Sequence, residues 1–238
     1  GFYYPAKEKN SLDFELSLQN FKLKVLNPFF EGIISQLEGH ASGEFSIRGE
    51  LAKPLVEGKL NLTRTAFLVD YLNVKYSLQH ELEIKPTTIP LKNLILYDST
   101  GHTAVVNGLV RHKHLLSGWE LDLSIKPQTM LALNTGPKQN ELFYGSAVAT
   151  GEIIVKGPLD DVDMAITAIS EKGTNIVIPL NTAGTVGSSD FIRFLTPADS
   201  LTAKTNLLSP PAPINSTGFK INLNTTVTPD AFVKIYLP

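Results

Sequence analysis

Strict period-two alternation of apolar and polar side chains constrains this chain more than any other feature. From Val74 to Lys85 the even positions read Val74, Tyr76, Leu78, His80, Leu82 and Ile84, and the odd positions Lys75, Ser77, Gln79, Glu81, Glu83 and Lys85. Successive side chains of a strand point to opposite faces, so this stretch predicts one nearly apolar face and one wholly polar face. The pattern recurs in Leu12–Leu18, in Trp119, Leu121, Leu123 and Ile125, and in Met164, Ile166 and Ala168. It returns in Phe219, Ile221 and Leu223, and again in Val233, Ile235 and Leu237. One dry face and one wet face is the habit of antiparallel sheets. The predicted fold class is therefore all-β.

Composition narrows the function. The 238 residues fit one all-β domain, and 42% hydrophobic content is enough to fill a core. Charged residues are only 18% and the net charge is −2, with Lys and Arg interleaved among Asp and Glu. No basic stripe exists to neutralise phosphates, which argues against nucleic acid. The chain has no cysteine, removing disulfides, thiol nucleophiles and Cys-based zinc sites together. No apolar run approaches the roughly 20 residues of a membrane-spanning helix. The chain opens on Gly1 and shows no signal peptide, so it is expected to be a piece of a longer protein whose targeting segment lies outside it.

Gly and Pro fall between the alternating runs, at Lys53-Pro54, Lys85-Pro86, Gly136-Pro137, Gly157-Pro158 and Pro210-Pro211. One short helix is predicted near residues 28–38, with Asn27 as cap, Pro28 in the first position and Gly39 as stop. A second single turn is expected over Asp190–Leu195, and a loop or bend over Leu207–Ser216. An internal echo is more informative. Gly43-Glu44-Phe45-Ser46-Ile47-Arg48-Gly49-Glu50-Leu51 and Gly151-Glu152-Ile153-Ile154-Val155-Lys156-Gly157-Pro158-Leu159 both spell Gly-Glu-apolar-x-apolar-basic-Gly-x-Leu. Gly101–Gly108 is a looser relative. Repeated strand-turn-strand units predict an elongated sheet in which each unit buries its face on its neighbours.

The search for chemistry finds no assembled machinery. His112 and His114 share strand parity, but no third ligand sits at a recognisable distance and Arg111 and Lys113 make the spot positive. Asp160-Asp161-Val162-Asp163 lacks the ligand spacing of a calcium loop and reads as a solvated turn. Asp98-Ser99-Thr100-Gly101 has the composition of a hairpin connection. No nucleophile elbow, phosphate loop, dinucleotide fingerprint or zinc-binding helix is present. No catalytic residue, metal ligand or cofactor is predicted, and the chain is not read as an enzyme.

A family resemblance enters at Phe143-Tyr144-Gly145-Ser146-Ala147-Val148-Ala149-Thr150-Gly151, followed by Lys156-Gly157-Pro158, Glu171-Lys172-Gly173-Thr174 and Ile178-Pro179-Leu180. These segments resemble the C-terminal region of the TamB family of AsmA-like envelope proteins, in its Bacteroidetes-type version. Gly39–Gly58, Asp70-Tyr71-Leu72 with Tyr76, Leu94–Gly108, Met130-Leu131, Leu133-Asn134-Thr135 and Asp190–Phe194 fit the same pattern. The resemblance implies an elongated β-sheet curled into a trough with a hydrophobic interior. It implies a periplasmic bridge in a Gram-negative bacterium, with an inner-membrane anchor outside this chain. It also implies movement of phospholipid between inner and outer membranes, an outer-membrane barrel partner of the Omp85 class, and no catalytic residues.

On this reading the chain divides into N-terminal strands and a short helix at 1–38, the trough at 39–206, and a Pro-rich bend with terminal strands at 207–238. The residues expected to line the groove for acyl chains are Tyr76, Leu78, Leu82 and Ile84; Trp119, Leu121, Leu123 and Ile125; and Phe219, Ile221 and Leu223. Two other readings stay open. One is an assembly factor that templates outer-membrane strands by edge pairing with the Omp85-class partner. The other is a closed β-sandwich serving as an adhesion or binding module.

Overall fold

Apolar residues spaced two apart, punctuated by Gly and Pro, produce long strands joined by tight turns. The computed structural model describes residues 1–3, 11–115, 117–140, 143–179 and 220–236. The first eight strands are β1 (Phe2–Tyr3), β2 (Leu12–Lys22), β3 (Ile34–Glu50), β4 (Lys53–Val69), β5 (Val74–Ile84), β6 (Thr88–Tyr97), β7 (Thr103–Lys113) and β8 (Ser117–Gln128). They are followed by β9 (Met130–Thr135), β10 (Tyr144–Pro158), β11 (Asp163–Ser170), β12 (Asn175–Pro179), β13 (Lys220–Thr226) and β14 (Phe232–Tyr236). All belong to one 14-stranded sheet that meanders in sequence order from β1 to β8 and continues through β10, β11 and β13. The boundary drawn at 38/39 falls inside β3.

The alternating runs lie within strands as expected, apart from Phe219 and Leu237, which lie outside the described residues. The Gly-bounded echo has a structural cause. Gly43 and Gly151 sit where a Cβ would come within 2.1 Å of the Lys59 and Thr167 carbonyl oxygens on the next strand. Gly49 and Gly157, at φ 98° and 108°, then adopt the left-handed backbone that precedes each hairpin turn. The repeat is thus a long strand, a close approach and a turn, used twice.

The sheet is curled and does not close. Phe67 on β4 and Ile125 on β8 pack against one buried cluster of Val74, Tyr76, Ala104 and Met130. Three strands separate β4 from β8, which on a flat sheet puts them roughly 19 Å apart. Bulges supply part of the bending. Asn20, Arg64 and Asn93, with φ of 50–51°, each lie at a register shift where one strand carries extra residues.

The helix differs from expectation. Leu23–Phe29 forms a 3-10 helix that ends at Pro28-Phe29, and β3 begins at Ile34. Asn27 does not cap an α-helix. Its Oδ1 accepts from the Leu37 N–H at 2.8 Å, and its Nδ2 donates to the Lys24 and Leu37 carbonyls at 3.0 and 3.2 Å. That pairing stitches the helix to β3, so Leu23 and Leu26 bury themselves with Leu37, Ala41, Leu60 and Leu62. Apolar contact at the sheet outweighs the helical spacing of Phe29 to Leu37. The turn expected at Asp190–Leu195 and the Leu207–Ser216 segment lie outside the described residues.

The C-terminal strands pair differently from the rest. β11 and β12 lie end to end along β10, and β13 and β14 lie parallel to them. The register offset is 57 residues in both parallel ladders, from Asp163 to Lys220 and from Asn175 to Phe232. β13–β14 is therefore a second rung stacked on β11–β12, with the same break between its two halves. The break is stitched by hydroxyls, since Thr228 N–H donates to Ser170 Oγ and Thr228 Oγ1 to the Ser170 carbonyl, both at 2.9 Å.

Candidate functional site

The register fixes which side chains share a face. Leu94, Val106, Ile125, Ile153, Ile166 and Leu223 are successive cross-strand partners on β6, β7, β8, β10, β11 and β13. Leu123, Val155, Met164 and Ile221 form a parallel row beside them. On the other wall Leu18, Gly43, Leu60 and Leu82 make one row, and Leu16, Phe45, Gly58 and Ile84 another. The described groove candidates, from Tyr76 to Leu223, thus fall on one side of a single sheet. Phe219 lies outside the described residues.

Their burial is uneven. Tyr76 and Ile84 are buried; Leu78, Leu82, Trp119, Leu121, Leu123, Ile125 and Ile221 are half-buried; Leu223 is 58% exposed. The opposite face is charged and paired across strands, as in Lys59–Glu81 at 3.1 Å and Arg111–Glu120 at 3.3 Å. These exposed pairs contribute little stability each. They keep that face wet while the inner face stays dry.

One end of the trough is filled by β9, a placement the sequence pattern did not reveal. β9 continues β8 past a bend at Thr129 (φ 51°) and crosses from the β6–β7 turn to the β4–β5 turn. Its Leu131 N–H donates to Asp98 Oδ2 at 2.8 Å, and its Leu131 carbonyl accepts from the Tyr76 hydroxyl at 2.9 Å. Asn134 N–H donates to the Leu72 carbonyl at 2.9 Å, and Asn73 Nδ2 to the Asn134 carbonyl at 2.6 Å. Asp98, whose side chain has no accessible surface, also accepts from Thr100 N–H, Thr100 Oγ1 and His102 N–H. Burial pushes its carboxyl upward, but these hydrogen bonds outweigh that and hold it below the usual carboxylate range. Burial, aided by the Asp98 charge, holds the Tyr76 hydroxyl in its protonated, donating form. The Asp98-Ser99-Thr100-Gly101 turn was legible; its role as an anchor for β9 was not.

His112 is 3% exposed on the inner face, with its ring 5.2 Å from that of Trp119. His114 is not on a strand. It forms the β7–β8 turn with Leu115, at φ 58° and 59°. His112 Nδ1 accepts from the Leu115 N–H at 3.0 Å, so the ring is held in the neutral tautomer that carries its proton on Nε2. Burial lowers its pKa from 6.5; the Lys85 backbone opposes this in part, and His114 adds to it. A depressed histidine stabilises the fold above its unfolded value, and that contribution is lost as pH falls through the folded value. Unfolding free energy measured by urea titration is expected to decline below about pH 6.5, with a smaller decline in His112→Phe. Among the described residues no group of three or more His, Asp or Glu is placed to hold a metal.

The fold and this face define a class, the single-sheet β-troughs with one dry and one wet surface. Residues 92–235 match the family model described as TamB C-terminal domain. This chain belongs to the TamB family. No curated protein and no solved structure matches it. Proteins of this family span the periplasm as transport and assembly components and work with a partner of the Omp85 class, which gives the chain a role in an envelope-spanning system. No helix among the described residues is long and apolar enough to cross a membrane.

Proposed function

We propose that the inner apolar face carries phospholipid acyl chains across the periplasm between the inner and outer membranes, as one segment of a longer, inner-membrane-anchored protein. The observation that carries this reading is the six-strand row from Leu94 to Leu223, flanked by the Leu123–Ile221 row. Most of these side chains keep part of their surface uncovered. An acyl chain in water costs about 0.8 kcal/mol per CH₂, and a continuous apolar row offsets this without headgroup contacts. The absence of a polar recognition cluster in the sequence suits such a conduit. A photo-crosslinker placed at Leu82 or Leu123 in cells is expected to capture phospholipid. Capture only from the outward positions Glu83 or Asp122 would sink the reading.

A second reading has its own support. The last strands, β13 and β14, leave one edge without a described partner and carry exposed Leu223, Phe232 and Tyr236. An open apolar edge is a template for strand addition. On that reading the chain assists assembly of outer-membrane strands with its Omp85-class partner. The sandwich module, by contrast, requires a second sheet, and the described strands form one.

A further inference from the structure

One seam inside the sheet is built unlike the others. β4 and β5 pair at ten positions from Gly58↔Ile84 to Val69↔Val74, and β6 and β7 at eight. β5 and β6 pair only at Ser77↔Tyr97 and Leu78↔Leu96. They meet again at their turn, where Lys85 N–H donates to the Thr88 carbonyl at 2.9 Å and Thr88 N–H to the Lys85 carbonyl at 3.4 Å. Between these two ties no ladder joins Gln79–Ile84 to Ile89–Ile95.

The sequence explains the gap. Thr88 aims its N–H at β5, and backbone donors alternate along a strand, so position 90 should aim its donor there as well. Position 90 is proline and has none. Three residues on, Asn93 (φ 51°) sends its N–H the other way, to Asn107 Oδ1 on β7 at 2.8 Å. That bulge shifts β6 by one residue against β5 across the gap. Both ends are meanwhile held. His112 N–H ties β7 to the Thr87 carbonyl at 2.9 Å at the turn end. At the other end the Asp98–Leu131–Tyr76 bonds join β6, β9 and β5.

At the β9 end the walls are clamped, since Asn134 N–H bonds the Leu72 carbonyl and the cluster of Val74, Tyr76, Ala104 and Met130 packs against both Phe67 and Ile125. The unladdered stretch beyond leaves the walls room to splay toward the turn end. We propose that the β5–β6 seam is a hinge, along which the β2–β5 wall and the β6–β13 wall swing to widen or narrow the trough. The hinge stands whatever the trough carries, because it follows from backbone pairing and not from the apolar lining.

Residue-resolved amide exchange on the whole chain tests it. The Lys85–Thr88 pair sets the parity, so the Gln79, Glu81 and Glu83 amides face the seam while His80, Leu82 and Ile84 face β4. The first set is expected to exchange at least about 100-fold faster than the second. Spin labels on Glu57→Cys and Lys126→Cys, in a chain with no native cysteine, report the distance between the walls. The wild-type distribution is expected to be broad. Pro90→Val restores the missing donor, and should both slow Glu83 exchange at least about tenfold and narrow that distribution. If Pro90→Val does not fold, a disulfide between Gln79→Cys and Ile95→Cys, the positions next in register after Leu78↔Leu96, replaces it. Equal protection of both amide sets overturns the hinge. So does a narrow wild-type distribution, or a broad one that stays broad once the seam is closed.

Discussion

Asp98→Ala should cost this chain more stability than any other single substitution outside the apolar clusters, roughly 3 kcal/mol. The carboxylate accepts from Thr100 N–H (2.8 Å), Thr100 Oγ1 (2.7 Å), His102 N–H (2.9 Å) and Leu131 N–H (2.8 Å) with no access to water. Hydrogen bonds to a charged group contribute about 1.5–3 kcal/mol each, and a buried donor left alone costs about 1–3 kcal/mol. Alanine strands the Leu131 amide between β9 and the β6–β7 turn. Asp98→Asn keeps one acceptor oxygen but turns an NH₂ toward a donor, so a loss of about 2 kcal/mol is expected. Urea unfolding at neutral pH measures both. The pH dependence follows from the lowered carboxyl. Its contribution is fully present above the unfolded value of 3.8 and is lost as pH falls through the lower folded value. Wild type should therefore lose stability in that acid window faster than Asp98→Ala. Equal slopes would mean that the carboxylate does not anchor β9.

How much of this was legible in the residues depends on the length scale. Alternation over Val74–Ile84 or Trp119–Ile125 specifies a strand and its dry face, because a one-residue slip reverses every side chain. The paired glycines of Gly43–Gly49 and Gly151–Gly157 likewise mark close approach and turn. Curl has no local signature in the alternation, since the bulges at Asn20, Arg64 and Asn93 interrupt no obvious motif. A polar residue in left-handed backbone looks, in sequence, like any exposed strand residue. The helix expected at 28–38 shows the converse error. Phe29, Phe30, Ile33, Ile34 and Leu37 have helical spacing, yet the pairing of Asn27 with Leu37 draws Leu37 into β3. Contacts made by residues far apart in sequence, such as Tyr76 with Leu131, carry no local signal at all. Tyr76 lies on the inner face, packed with Val74, Ala104 and Met130 under β9. The face was legible. Which part of it stays uncovered was not.

That difference sets the experiment with the largest expected effect on function. Aspartate at Leu82, Leu121 and Leu123 together should reduce phospholipid transfer between membranes by more than tenfold. All three positions are half-buried on the inner face, away from the cluster around Tyr76. There the introduced carboxylates keep contact with water, and the penalty for folding is modest. An acyl chain lying against them forces desolvation of charge, which costs far more than the apolar contact it replaces. The open edge of β13 and β14 is untouched by these changes, because Ile221 and Leu223 remain and the backbone donors are unaltered. Strand addition should therefore survive while lipid movement fails. Transfer measured between labelled inner and outer membrane fractions reads the first arm, and the yield of folded outer-membrane barrels reads the second. Normal transfer with impaired barrel assembly would move the function from the face to the edge. Loss of transfer with barrel yield intact would leave the apolar rows as the working surface, since nothing on the outer face or the edge has changed.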